Sequence, residues 1–162
     1  MVILVDSRDK TNQNILSEFD KQGIKYKVKA LKTGDYSFYI EECSELGFAY
    51  DTMFVDEITI ERKSSLSELA GNLANKSDDN RIFKELNRMI NIERVYLVIE
   101  NDCLDDIYEH NYKSEYNPDS YIRTLLTWQA RNNMHVYFVK RENMARTIYE
   151  LCKNCLDSKI LK

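Results

Sequence analysis

Two charged side chains at the end of an apolar segment, Glu61 and Lys63, have the types and spacing that could support phosphodiester chemistry. The residues before them are rich in β-branched side chains, which predicts a strand over 53–60. Positions two apart on a strand point to the same face, so Glu61 and Lys63 would lie side by side. An exposed cross-strand charge pair is the alternative, and the triplet alone favours that alternative.

Hydrolysis of a phosphodiester needs an activated nucleophile and neutralisation of the charge on the transition state. A divalent metal supplies both, and Mg²⁺ prefers oxygen ligands from a few carboxylates. A nearby lysine can orient the attacking water or stabilise developing charge. Such sites often combine an acid in a turn with an acid-x-Lys triplet on the neighbouring strand. Asp35 precedes Glu61 by 26 residues and is the candidate first acid, and the backbone carbonyl of Arg62 is a candidate further ligand.

Acids end other apolar runs as well. Asp6 follows the run 2–5, with Asp9 close behind, and Glu100 follows the run 94–99. Ligands commonly collect at strand ends of sheets flanked by helices, so we expect these acids near Glu61. The alternative for Asp6 or Asp9 is a cap in the turn before the next helix.

The apolar periodicity predicts the order β-α-β-β-β-α-α-β-α-β-α, which suits an α/β fold with a mixed central sheet flanked by helices. The helix that opens at Arg81 is predicted to bury Met89 and Ile90, and the helix at 119–132 to bury Leu125 and Leu126. The predicted strands cover 2–5, 25–30, 36–41, 48–60, 94–99 and 135–139, and the other predicted helices cover 12–22, 66–75 and 142–157, with loop or a short helix at 101–117.

The composition is that of one globular domain: 162 residues, 43% apolar and 31% charged. The sequence shows neither a membrane-spanning run nor a signal peptide, so we expect an intracellular protein without a membrane partner: cytoplasmic or nucleoid-associated, or nuclear in a eukaryote. The net charge of −4 argues against nucleic-acid binding by bulk attraction but leaves local patches open. Nucleotide-driven chemistry has no support, because the sequence has no glycine-rich phosphate loop.

Lysines are densest in the predicted strand 25–30, where Lys25, Lys27 and Lys29 share one face. This face either keeps a sheet edge soluble or faces phosphates. Cys152 and Cys155 have CxxC spacing. Without a second ligand pair, that spacing favours helix packing over metal or redox chemistry.

Four motifs in a fixed order resemble the nuclease domain of the XPF-type structure-specific DNA endonucleases, the group that includes archaeal Hef. The motifs are Val5-Asp6-Ser7-Arg8-Asp9, Leu31-Lys32-Thr33-Gly34-Asp35-Tyr36, Glu61-Arg62-Lys63 and Leu97-Val98-Ile99-Glu100. The resemblance covers essentially the whole chain. It implies a single nuclease domain over 1–162, a restriction-endonuclease-like fold and cleavage of DNA that depends on Mg²⁺ or Mn²⁺.

The resemblance also implies site residues, position by position. Asp35 and Glu61 would bind metal, Asp9 beside them is a further candidate metal ligand, and Lys63 would be the catalytic lysine, supported by Arg62. The remaining candidates are supporting residues: Asp6, Arg8, Glu100 and Ser67. Arg81 matches a family arginine and is a candidate DNA-contacting residue, together with Lys27 and Lys29 of the lysine-rich strand described above.

The chain departs from the family pattern at three points. The family's last acid falls at Ser67. Glu68, turned by about 100° on the same predicted helix, is the candidate replacement as a metal ligand. Asp9 stands where the family has glutamate. The tandem helix-hairpin-helix module of family members does not fit within 162 residues.

We therefore expect a metal-dependent DNA endonuclease, with branched or flapped DNA as candidate substrates. The alternative is a weakly active or inactive nuclease-fold module that serves as a DNA-binding or dimerisation partner, and Ser67 favours this alternative. Selectivity for DNA structure would come from the fold, from a homodimer or from a partner protein. Tyr121, Trp128 and Tyr149 of the last two predicted helices are either interface residues or packed on the sheet.

Overall fold

The computed structural model describes residues 1–74 and 81–160, with the side chains of 81–83 outside that description. Its strands are β1 (Val2–Asp6), β2 (Tyr26–Lys29), β3 (Tyr36–Ile40), β4 (Thr52–Met53), β5 (Ile58–Lys63), β6 (Arg94–Glu100) and β7 (Met134–Val139). Its α-helices are α1 (Gln13–Gln22), α2 (Leu66–Ala74), α3 (Arg81–Met89), α4 (Leu104–Tyr108), α5 (Pro118–Asn132) and α6 (Met144–Ile160).

The strands form one mixed sheet in the order β2-β1-β3-β5-β6-β7, with β4 paired to β3. β1 is parallel to β2, and β5, β6 and β7 are parallel to one another. β3 is antiparallel to both β1 and β5, so β1 and β5 run in the same direction. The carboxyl ends of β1, β2, β5, β6 and β7 therefore lie at one edge of the sheet, which we call the carboxyl edge.

Helices cover both faces of the sheet, because each face buries its own apolar cluster. On one face, side chains of α1 and α6 such as Phe19 and Ile148 pack against Ile60 and Val98. On the other face, α2, α3, α4 and α5 pack around Leu97. The predicted α/β fold, a mixed central sheet flanked by helices, is confirmed.

The buried faces of two helices differ from the prediction. α5 buries Tyr121, Leu125 and Trp128, whereas Leu126 is 58% exposed. The large aromatic rings at i and i+7 decide which face of α5 meets the sheet. Ile90 is 55% exposed because α3 ends at Met89, before that residue.

The segment 48–60 does not form one strand. It folds as the two-residue β4, a turn and then β5, and the amide of Ile58 bonds the carbonyl of Phe54 inside that turn. Cys152 and Cys155 are buried free thiols in the core beneath α6, as expected for helix packing. None of the described helices is long and apolar enough to cross a membrane.

Candidate functional site

The acidic residues at strand ends converge on the carboxyl edge. Asp6 ends β1, Glu100 ends β6, and Glu61 lies in the last half of β5. Asp35 joins them from the turn that leads into β3, because β3 begins where its neighbours end. The strand-end acids thus lie at one edge of the sheet, as predicted, because the strands that they end run in the same direction.

Asp35 is held in place by the tight turn before β3. Gly34 has a φ of +68°, and a Cβ there would lie 2.1 Å from the Thr59 hydroxyl oxygen. Only glycine combines this backbone conformation with so close an approach to β5. The Asp35 amide donates to the Ile60 carbonyl at 2.9 Å, and the carboxylate accepts from the Arg62 amide at 2.8 Å. Backbone contacts to β5 therefore fix this carboxylate beside Glu61.

Glu61 and Lys63 lie side by side, as their spacing predicts, but they are not an exposed charge pair. Both residues are 7% exposed, and the Lys63 Nζ is 2.6 Å from the Glu61 Oε1. The other carboxylate oxygen of Glu61 is buried and has no hydrogen-bond partner among the described residues. A buried carboxylate oxygen without a partner is costly, so this position favours a ligand of opposite charge.

The electrostatics of these three groups are strongly perturbed. Burial and the neighbouring Glu61 carboxylate raise the pKa of Asp35 well above its usual range. Burial also raises the pKa of Glu61 against the attraction of Lys63. Burial lowers the pKa of Lys63, yet the surrounding carboxylates of Glu61, Glu68 and Asp35 together outweigh burial, so the pKa of Lys63 is raised. Two crowded carboxylates and one firmly charged lysine thus share a water-poor site.

A second buried network lies on the opposite face of β5, because Arg62 alternates with Glu61 and Lys63. The Arg62 Nε donates to the Glu100 Oε1 at 2.8 Å, and Glu100 is completely buried. The Arg62 Nη1 is 3.2 Å from the Thr11 hydroxyl and 3.6 Å from the Asp9 carboxylate. Tyr36 donates to the same Asp9 carboxylate at 3.2 Å. The Asp9 carboxylate is therefore already bound by Arg62 and Tyr36, and it is not free to face a metal ion alone.

Asp6 and Arg8 form a structural pair at the end of β1. The Arg8 Nε donates to the Asp6 carboxylate at 2.7 Å, and an Arg8 Nη donates to the Leu31 carbonyl at 2.7 Å. Asp6 also accepts from the Leu31 amide at 3.3 Å. These bonds outweigh burial, so the pKa of Asp6 is lowered. The pair ties the segment after β2 to the site, which is a supporting role.

An open pocket of about 390 Å³ lies over these groups. Its lining includes four residues that the sequence did not single out, and Glu85 of α3 is the one that carries charge. Glu85 precedes the buried Met89 by one helical turn, so an acid at a sheet-facing helix position was the signal available in the sequence. The residues that line the pocket are Asp6, Arg8, Asp9, Thr11, Asp35, Glu61, Arg62, Lys63, Glu68, Gly71, Asn72 and Glu85.

Ser67 and Glu68 point to different places. The Ser67 hydroxyl accepts from the Lys113 amide at 2.8 Å and is absent from the pocket lining. Glu68 lines the pocket, with its Oε1 3.9 Å from the Lys63 Nζ and its Oε2 bonded to the amide and hydroxyl of Ser64. Of the two residues, Glu68 is the one that faces the candidate site.

None of the candidate DNA-contacting residues that the structure describes lines the pocket. Lys27 and Lys29 are exposed on β2, an edge strand of the sheet. Lys29 pairs in register with Asp6, so it lies at the carboxyl edge, where it lines a separate groove of about 520 Å³ with Lys32 and Arg88. The side chain of Arg81 lies outside the described residues.

The donor set fits a hard divalent cation. Within the described parts of the chain, no three Asp, Glu, His or Cys side chains are already gathered as a metal site. Mg²⁺ does not require such a cage, because one or two carboxylates with waters commonly suffice. Asp35 and the Glu61 oxygen that lacks a partner among the described residues would suit such a cation, whose charge would offset the burial that raises the pKa values of both carboxylates.

Comparisons with known proteins are consistent with this geometry. The family model described as the ERCC4 domain matches residues 5–151. XPF from Aeropyrum pernix is similar in structure with a TM-score of 0.63 at 18% identity, over 95% of this chain and 61% of that chain. The same protein in a complex with DNA gives a TM-score of 0.65 at 21% identity, over 94% of this chain and 64% of that chain. A comparison with curated proteins finds no match.

Proposed function

The chain belongs to the ERCC4 domain family, and on that premise we propose that it is a metal-dependent nuclease that hydrolyses phosphodiester bonds within DNA. The observation that carries the proposal is a pair of carboxylates, the half-buried Asp35 and the buried Glu61, beside a charged Lys63 in an open pocket. A purely structural ion pair would not need a second crowded carboxylate with raised pKa at the same place.

We assign Asp35 and Glu61 as the metal ligands, with Glu68 and Glu85 in reach of the same pocket through water. Oxygen donors of this type suit Mg²⁺ or Mn²⁺. When bound, the ion would acidify a water molecule and polarise a phosphoryl oxygen. Asp9 is held by Arg62 and Tyr36, so its part is to orient Arg62 rather than to bind the ion directly.

Lys63 stabilises negative charge rather than accepting a proton. The neighbouring carboxylates, Glu61 first, raise the pKa of Lys63 against burial, which favours the charged ammonium group and therefore a role in charge stabilisation. The Glu61 carboxylate lies 2.6 Å from the Lys63 Nζ and fixes this ammonium group in place. The ammonium group can then stabilise the negative charge that develops on a phosphoryl oxygen. Arg62 supports the site from behind, because its backbone amide orients Asp35 while its side chain is anchored on Glu100.

The cleavage test uses labelled flap, fork and duplex DNA with and without Mg²⁺ or Mn²⁺. We expect metal-dependent cleavage, and we expect Lys63→Ala and the bulkier Lys63→Met to reduce its rate at least about 100-fold. Lys153→Ala is the matched control, since Lys153 is exposed on α6 and pairs only locally with Asp157. Thermal unfolding confirms that each variant is folded. Absence of cleavage of every substrate, or full activity of both Lys63 variants, contradicts the proposal.

A second candidate function is a non-catalytic DNA-binding or dimerisation module. It is favoured by Ser67, which stands at the family's acid position and bonds the Lys113 amide instead of facing the pocket. Calorimetric titration with Mn²⁺ separates the two functions. Saturable binding that Asp35→Asn abolishes supports the nuclease, whereas no binding in either protein supports the module.

Substrate structure and assembly are further proposals, because the chain spans only 61–64% of the length of the similar XPF chains. We propose branched or flapped DNA as the substrate, selected with the help of a second copy or a partner protein, in an intracellular DNA-containing compartment. Tyr121 and Trp128 are buried in the core, which favours packing on the sheet over a role in an interface, and Tyr149 is partly buried against the other core cluster. Sedimentation of the purified protein tests for the homodimer.

A further inference from the structure

Arg141 is anchored at the carboxyl edge without forming part of the pocket. It directly follows β7 and Lys140, and its amide donates to the Asn101 side chain at 2.9 Å. Its Nε is 3.1 Å from the Glu100 Oε2, while its side chain stays 58% exposed. The residue is therefore fixed at its inner end and open to solvent at its outer end.

Glu100 is the shared hydrogen-bond partner of two arginines. One of its oxygens accepts from Arg62 and the other from Arg141, so two guanidinium groups share one buried carboxylate. Arg62 is buried, and its Nη1 is already directed at Thr11 and Asp9. Arg141 is the exposed member of the pair, so its guanidinium is the one that a ligand in solution can reach. Arginine held at Nε keeps its outer N–H groups free to bind a phosphate in a planar, bidentate way.

The position of Arg141 suits a phosphate a few nucleotides along the backbone from the reacting one. β7 lies two strands from β5 in the sheet. Adjacent strands are about 4.8 Å apart, which places the end of β7 about 10 Å from the Glu61–Lys63 pair. At about 3.4 Å of rise per nucleotide, a backbone that crosses the edge covers this distance in about three nucleotides.

Resting on the proposed nuclease function, we propose that Arg141 binds a DNA backbone phosphate on the β7 side of the cleaved bond, and that Glu100 positions it for this contact. The pocket itself is lined by six carboxylates, so attraction for the DNA backbone has to come from basic groups beside it. A preset arginine beside the pocket supplies attraction at the point where the backbone must leave it. The competing explanation is a salt bridge that serves only to satisfy Glu100.

The experiment measures binding of labelled duplex DNA by fluorescence anisotropy in EDTA, over a range of salt concentrations, so that no cleavage occurs. For Arg141→Gln we expect weaker binding and a salt slope smaller by about 0.9, the value for one lost phosphate contact. Arg141→Lys keeps the charge and should retain the wild-type slope. Arg131→Gln is the control, because Arg131 lies near the end of α5, at the opposite edge of the sheet.

The outcomes separate this inference from the proposed function. If the wild-type protein cleaves DNA but Arg141→Gln keeps the wild-type salt slope, Arg141 does not bind phosphate and the nuclease proposal stands. If Arg131→Gln lowers the slope as much as Arg141→Gln does, the effect is net charge and the inference is wrong. If the wild-type protein neither binds nor cleaves DNA, the proposed function itself fails. A loss of thermal stability without a change in slope identifies Arg141 as structural only.

Discussion

Replacement of Glu100 by glutamine should destabilise the protein far more than its single position suggests. Glu100 is fully buried and lies 2.8 Å from the Arg62 Nε, and the Arg62 side chain is only 5% exposed. Loss of one partner of a buried ion pair leaves the other charge uncompensated, which costs about 3–5 kcal/mol. Asp9, at 3.6 Å from the Arg62 Nη1, can compensate only part of this charge.

Denaturant and thermal unfolding measure this loss. For a chain of this length each kcal/mol lowers the Tm by about 2–4 °C, so we expect a fall of about 6–20 °C. Glu18→Gln is the control, because Glu18 forms an exposed pair with Lys21 and should leave the Tm unchanged. The double variant Arg62→Gln with Glu100→Gln should be less destabilised than the sum of the two single variants, since no buried charge is then left alone.

Glu100→Gln also tests whether the Arg62–Glu100 network is linked to the Asp35 and Glu61 carboxylates. Arg62 orients Asp35 through its backbone amide, so displacement of Arg62 should weaken Mn²⁺ binding about 10–100-fold. A loss of stability below about 1 kcal/mol, together with unchanged Mn²⁺ affinity, would refute the reasoning that Glu100 is the counter-charge of Arg62.

Three further predictions concern other parts of the molecule. Mn²⁺ at 100 times its Kd should stabilise the fold by about 2.7 kcal/mol and raise the Tm by about 5–11 °C in a thermal-shift assay. Asp35→Asn should remove most of this rise in Tm, and an undiminished rise would exclude Asp35 as a ligand. Gly34→Ala should cost at least about 2 kcal/mol because of its positive φ and its contact with β5, whereas Gly71→Ala, with open space at its Cβ on α2, should stabilise by about 0.5–1 kcal/mol; equal effects in denaturant titration would contradict the role of the turn. Iodoacetamide should modify the exposed Cys103 in the native protein but not Cys152, because burial raises the pKa of the Cys152 thiol and excludes the reagent; mass spectrometry of tryptic peptides reads the difference.

Local signals were sufficient wherever one property decided the outcome. Apolar runs that end in an acid located β1 and β6 with Asp6 and Glu100 at their ends. The two-residue period placed Glu61 and Lys63 on one face, and their contact at 2.6 Å confirms it. These inferences depend only on the alternation of side chains along a strand, and that alternation can be read from the order of the residues.

Local signals failed where packing between distant elements decided the outcome. The periodic pattern of α5 pointed to Leu126, but the rings of Tyr121 and Trp128 set which face meets the sheet. In the same way the sequence could place Ser67 and Glu68 on one helix but could not say which of them faces the site. That choice depends on how α2 lies against β5 and on the bond from the Lys113 amide to Ser67.

The sequence by itself determined which residues make up the site: Asp35 in a turn, the Glu61–Lys63 pair, and the acidic residues that follow the apolar strands. Only the tertiary structure decided that the pair is buried, that Glu85 joins it from α3, and that Glu100 is shared by Arg62 and Arg141. The reason is physical. Side-chain type and spacing are properties of the chain, whereas desolvation and charge pairing depend on which distant segments exclude water from one another.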